Sequence, residues 1–262
     1  MIAALATALT LLAPAPTVVA AGDIASCRST GDEQTAALVA RVPGTVAILG
    51  DSVYEHGTAA EFRDCYSWRR FRTRTRAALG NHEYGSAGAR PAKAYFRLPD
   101  RGYYSYELGS WHVVVLNSNC RPAGGCEAGS PQQRWLAADL AASKAPCTLA
   151  YWHHPRFSSG LHGSDVSMAA LWRTLARARA DVVLAGHDHH YERFAPIDGI
   201  RSFVVGTGGR SLYPVLFRTE GSEALQTSGF GVLDLELLPD RYTATFRPVP
   251  GFDFSDASTR SC

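Results

Sequence analysis

The chain has 262 residues, 46% of them hydrophobic and 19% charged. That is enough apolar material for a large α/β core and excludes a disordered or low-complexity chain. A formal net charge of +2 gives no global drive toward nucleic acid or an anionic membrane, and no nucleic-acid module is recognisable.

Residues 1–15 are apolar but too short to span a bilayer. They read as a signal segment, atypical or incomplete because no basic stretch precedes the apolar run. Residues 16–262 read as a single domain. Thr17 to Ala21 is the first expected strand, Asp32 to Arg41 a helix, and Thr45 to Leu49 the second strand. Tyr103 to Leu108 and Trp111 to Leu116 read as an antiparallel pair around Gly109-Ser110. Ser130-Pro131-Gln132-Gln133 opens a helix running to about Ser143, with a capping-box pattern and Pro in the first turn. Cys147 to Trp152 is a strand, Val166 to Arg179 a helix and Val182 to Leu184 a strand. Arg201 to Val205 is another strand, ending in Gly206-Thr207-Gly208-Gly209, which lacks the Gly-Lys-Ser/Thr ending of a P-loop and reads as a turn. Phe230 to Leu238 and Tyr242 to Arg247 form a final hairpin. Such a mixture of βα units and hairpins predicts two packed sheets with helices outside.

Cys27, Cys65, Cys120, Cys126, Cys147 and Cys262 include no C-x-x-C pair, which argues against a zinc ribbon. Their even number fits disulfides in a secreted or extracytoplasmic protein. Cys120 and Cys126 flank a loop short enough to close into a small ring. Arg69, Arg70, Arg72, Arg74 and Arg76 form a basic run. It reads either as a funnel for anionic phosphates or, the reading preferred here, as a solvated connecting segment.

Five short polar clusters stand out: Gly22-Asp23, Gly50-Asp51-Ser52-Val53-Tyr54, Gly80-Asn81-His82-Glu83, His153-His154-Pro155 and Gly186-His187-Asp188-His189. Four of them follow a short apolar run that suits a buried strand. In open α/β sheets, sites form outside the carboxyl ends of the strands, so all five clusters can converge on one rim. What converges is carboxylate, phenol, amide and imidazole, the donor set of a two-metal hydrolytic site. Asp51 is the bridging candidate, and Asp23 is a terminal carboxylate for the first ion. Tyr54 lies three residues after Asp51, near enough for one turn to aim both side chains at one ion. His187 and His189, two apart, point the same way on an extended backbone, and each is free to serve a different ion. Asn81 offers a neutral oxygen, and His153 completes the second ion. His82 is placed as a general acid on the leaving oxygen.

This series, Asp23, Gly50-Asp51-x-x-Tyr54, Gly80-Asn81-His82-Glu83, His153 and Gly186-His187-x-His189, resembles the calcineurin-like metallophosphoesterases. Tyr54 and the stretch His189-His190-Tyr191-Glu192-Arg193 are similar to the purple acid phosphatase branch. The wider superfamily carries His two residues after the first Asp, where this chain has Ala25. The resemblance implies a four-layer αββα sandwich of two mixed sheets. It implies two metal ions: Fe(III) on Asp23, Tyr54 and His189, and divalent Fe, Zn or Mn on Asn81, His153 and His187, with Asp51 bridging. It implies hydrolysis of phosphate monoesters by a metal-activated hydroxide, with His82 assisting the leaving group. Phosphodiesters, nucleotides and phospholipids remain alternatives on the same site, and a non-catalytic metal or phosphate binder is a third reading. His154, His190, Glu192 and Arg193 would stand behind the ligands or face the substrate, His190 being equally readable as a surface residue. A small phosphate ester is the expected partner. If Asp51 bridges the ions, Asp51→Asn removes metal and phosphatase activity together, which metal analysis alongside an ester assay checks.

Overall fold

The computed structural model describes residues 15–262, so the expected leader at 1–15 lies outside the described residues apart from Ala15. The first half carries β1 (Thr17–Ala21), β2 (Ala25–Ser26), α1 (Gly31–Val39), β3 (Thr45–Leu49), β4 (Val53–Tyr54), α2 (Ala59–Asp64), β5 (Thr75–Ala78), α3 (Arg90–Phe96), β6 (Tyr104–Leu108) and β7 (Trp111–Val115). The second half carries α4 (Pro131–Ala142), β8 (Cys147–Tyr151), α5 (Ala169–Arg177), β9 (Val182–Ala185), β10 (Tyr191–Phe194), β11 (Arg201–Val205), β12 (Ser222–Gln226), β13 (Gly231–Leu237), β14 (Arg241–Pro248) and β15 (Asp256–Ser261).

A six-stranded sheet has the order β15-β14-β13-β1-β3-β5, and a seven-stranded sheet the order β12-β10-β11-β9-β8-β7-β6. Both are mixed. β1, β3 and β5 run parallel while β13, β14 and β15 are antiparallel. In the second sheet β7, β8, β9 and β11 are parallel and β6, β10 and β12 antiparallel. Period-two alternation divides the strands of the second sheet between two cores. Val113, Val115, Leu149, Tyr151, Val182 and Leu184 join the core shared with the first sheet. Their neighbours Val114, Ala150, Trp152 and Val183 pack with Leu136 of α4 and Leu171, Trp172 and Leu175 of α5. On the far side, α1 packs on β13 and α3 on β5. The result is the α/β four-layer αββα sandwich. Each fully buried Val or Leu in it contributes about 1.5–3 kcal/mol.

Several local expectations shift. Ser130 caps α4 by accepting from the Gln133 amide at 3.3 Å, but Gln133 Oε1 accepts from Gly129, so the reciprocal half of the box is not made. The complete capping box sits instead at Thr58 and Glu61 on α2. The helix expected at Val166–Arg179 begins with a 3-10 turn and is α-helical only over Ala169–Arg177. All six cysteines are paired, as Cys27–Cys65, Cys120–Cys126 and Cys147–Cys262.

The basic run is exposed at Arg69, Arg70, Arg72 and Arg76, as a solvated segment would be, but it is regular structure rather than a loose connector. Ser67–Arg74 is a 3-10 helix, and Arg76 lies on β5. Arg70 donates to the Ala36 carbonyl, and Arg74 donates to those of Val39 and Gly44. These guanidiniums bind carbonyls at the end of α1 and just beyond it, adding to the Ala40 and Val42 amides that Ala36 and Val39 already accept. Because Arg74 makes two such charge-assisted bonds, Arg74→Ala is expected to cost about 1.5–3 kcal/mol, read as a midpoint shift in denaturant unfolding at unchanged slope.

Candidate metal centre

β1 and β3 end side by side, and each delivers a carboxylate through a residue in the left-handed region: Asp23 at φ 60° and Asp51 at φ 49°. Asp tolerates this backbone better than most residues, at a modest cost. Both carboxylates are buried. Among the described residues neither forms an ion pair with Arg or Lys; the cations facing them are imidazoles. Two buried negative charges without a fixed cation are costly unless positive charge is supplied.

Seven side chains converge there. The Tyr54 hydroxyl lies 2.7 Å from Asp23 Oδ1, 3.0 Å from Asp51 Oδ2 and 3.1 Å from His189 Nε2. On the other side, His153 Nε2 lies 3.2 Å from Asp51 Oδ2, 3.1 Å from Asn81 Oδ1 and 3.2 Å from His187 Nδ1. The structure therefore brings Asp23, Tyr54 and His189 into one group and Asn81, His153 and His187 into another. Both groups meet at the same oxygen of Asp51.

Surrounding contacts settle which imidazole nitrogens are free. His153 Nδ1 faces the Leu49 carbonyl at 2.8 Å, and His82 Nδ1 faces that of Glu55 at 2.7 Å. A carbonyl only accepts, so these nitrogens carry the proton and Nε2 is left toward the cluster. His189 Nδ1 is held by the Ser211 hydroxyl at 2.8 Å. The His187 ring contributes Nδ1 instead.

Burial opposes a charge on His153, yet the Asp51 carboxylate beside it lifts its pKa to about 9. Asp51 is held well below the usual carboxylate range: burial pushes it up, but His153 and then His82 outweigh this. Burial and the charge on His153 press His154 down to about 4. Burial, followed by the carboxylates of Asp23 and Asp51, raises the Tyr54 phenol well above its ordinary value. His187 is pressed down as well, by burial and then by the charge on His153.

Glu83 underlies the arrangement. Fully buried, it accepts from the backbone amides of Asp51 at 3.0 Å, Ser52 at 2.7 Å and Gly80 at 2.7 Å, tying two donor-bearing loops together. Burial and then the Asp51 charge raise its pKa to about 7. Gly80 is required for closeness, since a Cβ there would lie 2.1 Å from Asp51 Oδ1.

His187 and His189 do not lie on an extended backbone. His187 has φ 71°, and the amides of Asp188 and His190 donate to Gly186 and Asp188, two residues back. These tight turns, rather than strand geometry, send the two imidazoles to different groups. His154 borders the second group, with ring centroids 4.4 Å from His187 and its Nδ1 on the Ser118 hydroxyl. His190 is buried, not on the surface, and its Nε2 meets Glu192 at 3.0 Å. Glu192 also accepts from the Ser159 amide, bracing the loop beyond β8 rather than touching a donor. Arg193 departs from its expected place: Asp256 of β15 and Glu223 of β12 take its guanidinium, and it contacts none of the donors.

Three residues outside the five clusters also border the donors. The His162 ring lies 4.4 Å from that of His187, and Tyr213 stacks on His189 at 4.2 Å. Arg210 sits 5.2 Å over the Tyr54 ring and pairs with Glu55 at 2.7 Å. None of His162, Arg210 and Tyr213 directly follows a β-strand. Only the polar imidazole of His162 gave a usable signal in sequence.

A mixed two-sheet sandwich with oxygen and nitrogen donors at the strand ends is the architecture of a metal-dependent phosphoesterase. The calcineurin-like phosphoesterase family matches residues 16–191, and the chain belongs to that family. An uncharacterized protein of Mycobacterium tuberculosis is 30% identical over 207 residues, 66% of this chain and 38% of that protein. Purple acid phosphatase 21 of Arabidopsis thaliana is 40% identical over 101 residues, 36% of this chain and 22% of that enzyme. The fold superposes on purple acid phosphatase PPD1 of yellow lupin (Lupinus luteus) seeds with a TM-score of 0.78 at 19% identity, covering 95% of this chain and 54% of that one. The chain thus spans well under two thirds of the length of these relatives.

Removing the charge of Glu83 while keeping its shape sets an amide donor against backbone N–H groups. Glu83→Gln is expected to weaken metal binding about 10- to 100-fold, measured by metal titration of the folded variant.

Proposed function

We propose that the chain is a hydrolase of phosphate monoesters working with two metal ions. The observation that carries this reading is the pair of donor groups sharing one oxygen of Asp51. Asp23, Tyr54 and His189 would hold one ion, Asn81, His153 and His187 the other, and Asp51 both. The donors fit: oxygen and imidazole nitrogen suit Fe, Zn and Mn. A phenolate oxygen is a hard donor suited to a strongly charged cation, which supports Fe(III) in the Tyr54 group and a divalent ion in the other. When bound, the ions would supply positive charge for the phosphoryl oxygens and lower the pKa of an attacking water.

The chain's own residues do the rest. The His82 side chain is partly exposed, with Nε2 3.9 Å from Asp51 Oδ2. Its Nδ1–H is anchored on the Glu55 carbonyl, which aims Nε2 at the open face of the cluster. A proton on that nitrogen would go to the oxygen of the departing alcohol. His154 and His162 line the same border and would orient the phosphoryl group by hydrogen bonds.

The three disulfides persist in an oxidising compartment, which supports a place outside the cytoplasm. Among the described residues no helix is long and apolar enough to cross a membrane.

Metal-replete protein is expected to hydrolyse p-nitrophenyl phosphate faster than bis-p-nitrophenyl phosphate; the reverse order would move the function to phosphodiesters. His82→Ala is expected to lower kcat on an alkyl monoester about 10²- to 10⁴-fold with metal content unchanged. Full kcat in that variant would assign the acid to another imidazole.

A further inference from the structure

Among the described residues, three of the five exposed large apolar side chains, Leu161 (64% exposed), Leu216 (73%) and Phe217 (84%), lie on one groove. Its walls are the loop after β8 and the loop after β11, and its volume is about 330 Å³. That is the low end of the range for small-ligand sites, about 300–1,000 Å³. The loops are tied together, since Thr219 donates from its amide to the Ser159 hydroxyl at 2.7 Å and from its own hydroxyl to the Ser158 carbonyl at 2.9 Å. Asp188 holds the first loop from below, accepting from the His162 amide at 2.9 Å. The groove is a built feature rather than two loose ends.

Both walls adjoin, along the chain, residues that border the candidate metal centre. Leu161 precedes His162, whose ring lies against the donor His187. Pro214 follows Tyr213, whose ring is stacked on the donor His189 and whose amide donates to the His189 carbonyl at 3.0 Å. Each wall therefore starts one residue, about 3.8 Å of backbone, from a ring packed on a donor imidazole. Arg218 is the one charged side chain on the walls, and no carboxylate lines them. That selects against a cationic occupant.

We propose that this groove is a subsite for the apolar organic group of the ester, alkyl or aryl, whose phosphoryl end sits at the metal centre. The inference rests on the phosphoester hydrolase reading, but its test is separable from it. The probe is a series of straight-chain alkylphosphonates, from methyl to octyl, titrated calorimetrically into metal-loaded protein. The corresponding alkyl phosphates are assayed in parallel.

Affinity is expected to rise about two- to fourfold per methylene over the first several carbons. Leu161→Ser with Phe217→Ser should flatten that slope while leaving methylphosphonate affinity unchanged; both side chains are exposed, so the fold should survive. A flat slope in the original protein, or the same slope in the variant, overturns the subsite even if every phosphate is hydrolysed. A chain-length slope lost in the variant supports the subsite even if no phosphate is turned over, in which case the hydrolase reading alone falls. Two other occupants are distinguished by the same variant. A dimer that the variant converts to a monomer, or vesicle binding that it abolishes, each with unchanged chain-length dependence, would give the patch to a second copy or to a lipid surface and overturn the proposal.

Discussion

The structure turns on two carboxylates, Asp23 and Asp51, buried at the ends of adjacent parallel strands with imidazoles as the only side chains near them able to carry positive charge among the described residues. A buried negative charge needs a positive one close by. Most such charges in proteins are met by Arg, as Asp256 is met by Arg193 here. At the rim of the sandwich no guanidinium is offered to Asp23 or Asp51. Imidazole, phenol and amide donors stand there instead, which coordinate cations but do not replace them. The lifted pKa of His153 has its cause in the Asp51 carboxylate beside it.

Holding donors this close requires a rigid support, and the support is mostly backbone. Glu83 gathers three amides from two loops, while His153 and His82 are each locked by a carbonyl. Asp23, Asp51 and His187 occupy left-handed backbone that a flexible loop would not keep. The parallel pairing of β1 with β3 and of β3 with β5 is what sets the first three clusters side by side. Strain at the turns is met by packing in the sheets, a common division in sites built on a stiff scaffold.

Much of the rest of the chain serves the scaffold. The arginine run caps carbonyls at the end of α1. The disulfide Cys147–Cys262 ties the start of β8 to the chain end beyond the edge strand β15. The loops after β8 and β11 differ in leaving Leu161, Leu216 and Phe217 in solvent.

The sequence by itself determined the strands with strong apolar character, such as Thr17–Ala21 and Arg201–Val205, and singled out the seven side chains that the structure brings together. Those donors were legible because each cluster follows or sits near a buried strand, where polar residues have few structural reasons to occur. β5, β10, β12 and β15 were not legible. Thr75–Ala78 is hidden in a basic run, and Asp256–Ser261 is polar throughout, an edge strand defined by pairing with β14 rather than by burial. Only the tertiary structure decided that His187 and His189 part at a turn, that Arg193 pairs with Asp256 and Glu223, and that Glu83 sits beneath Asp51. The same holds for His162, Arg210 and Tyr213 at the border. These placements depend on contacts between segments far apart in the chain, and periodicity carries no record of such contacts.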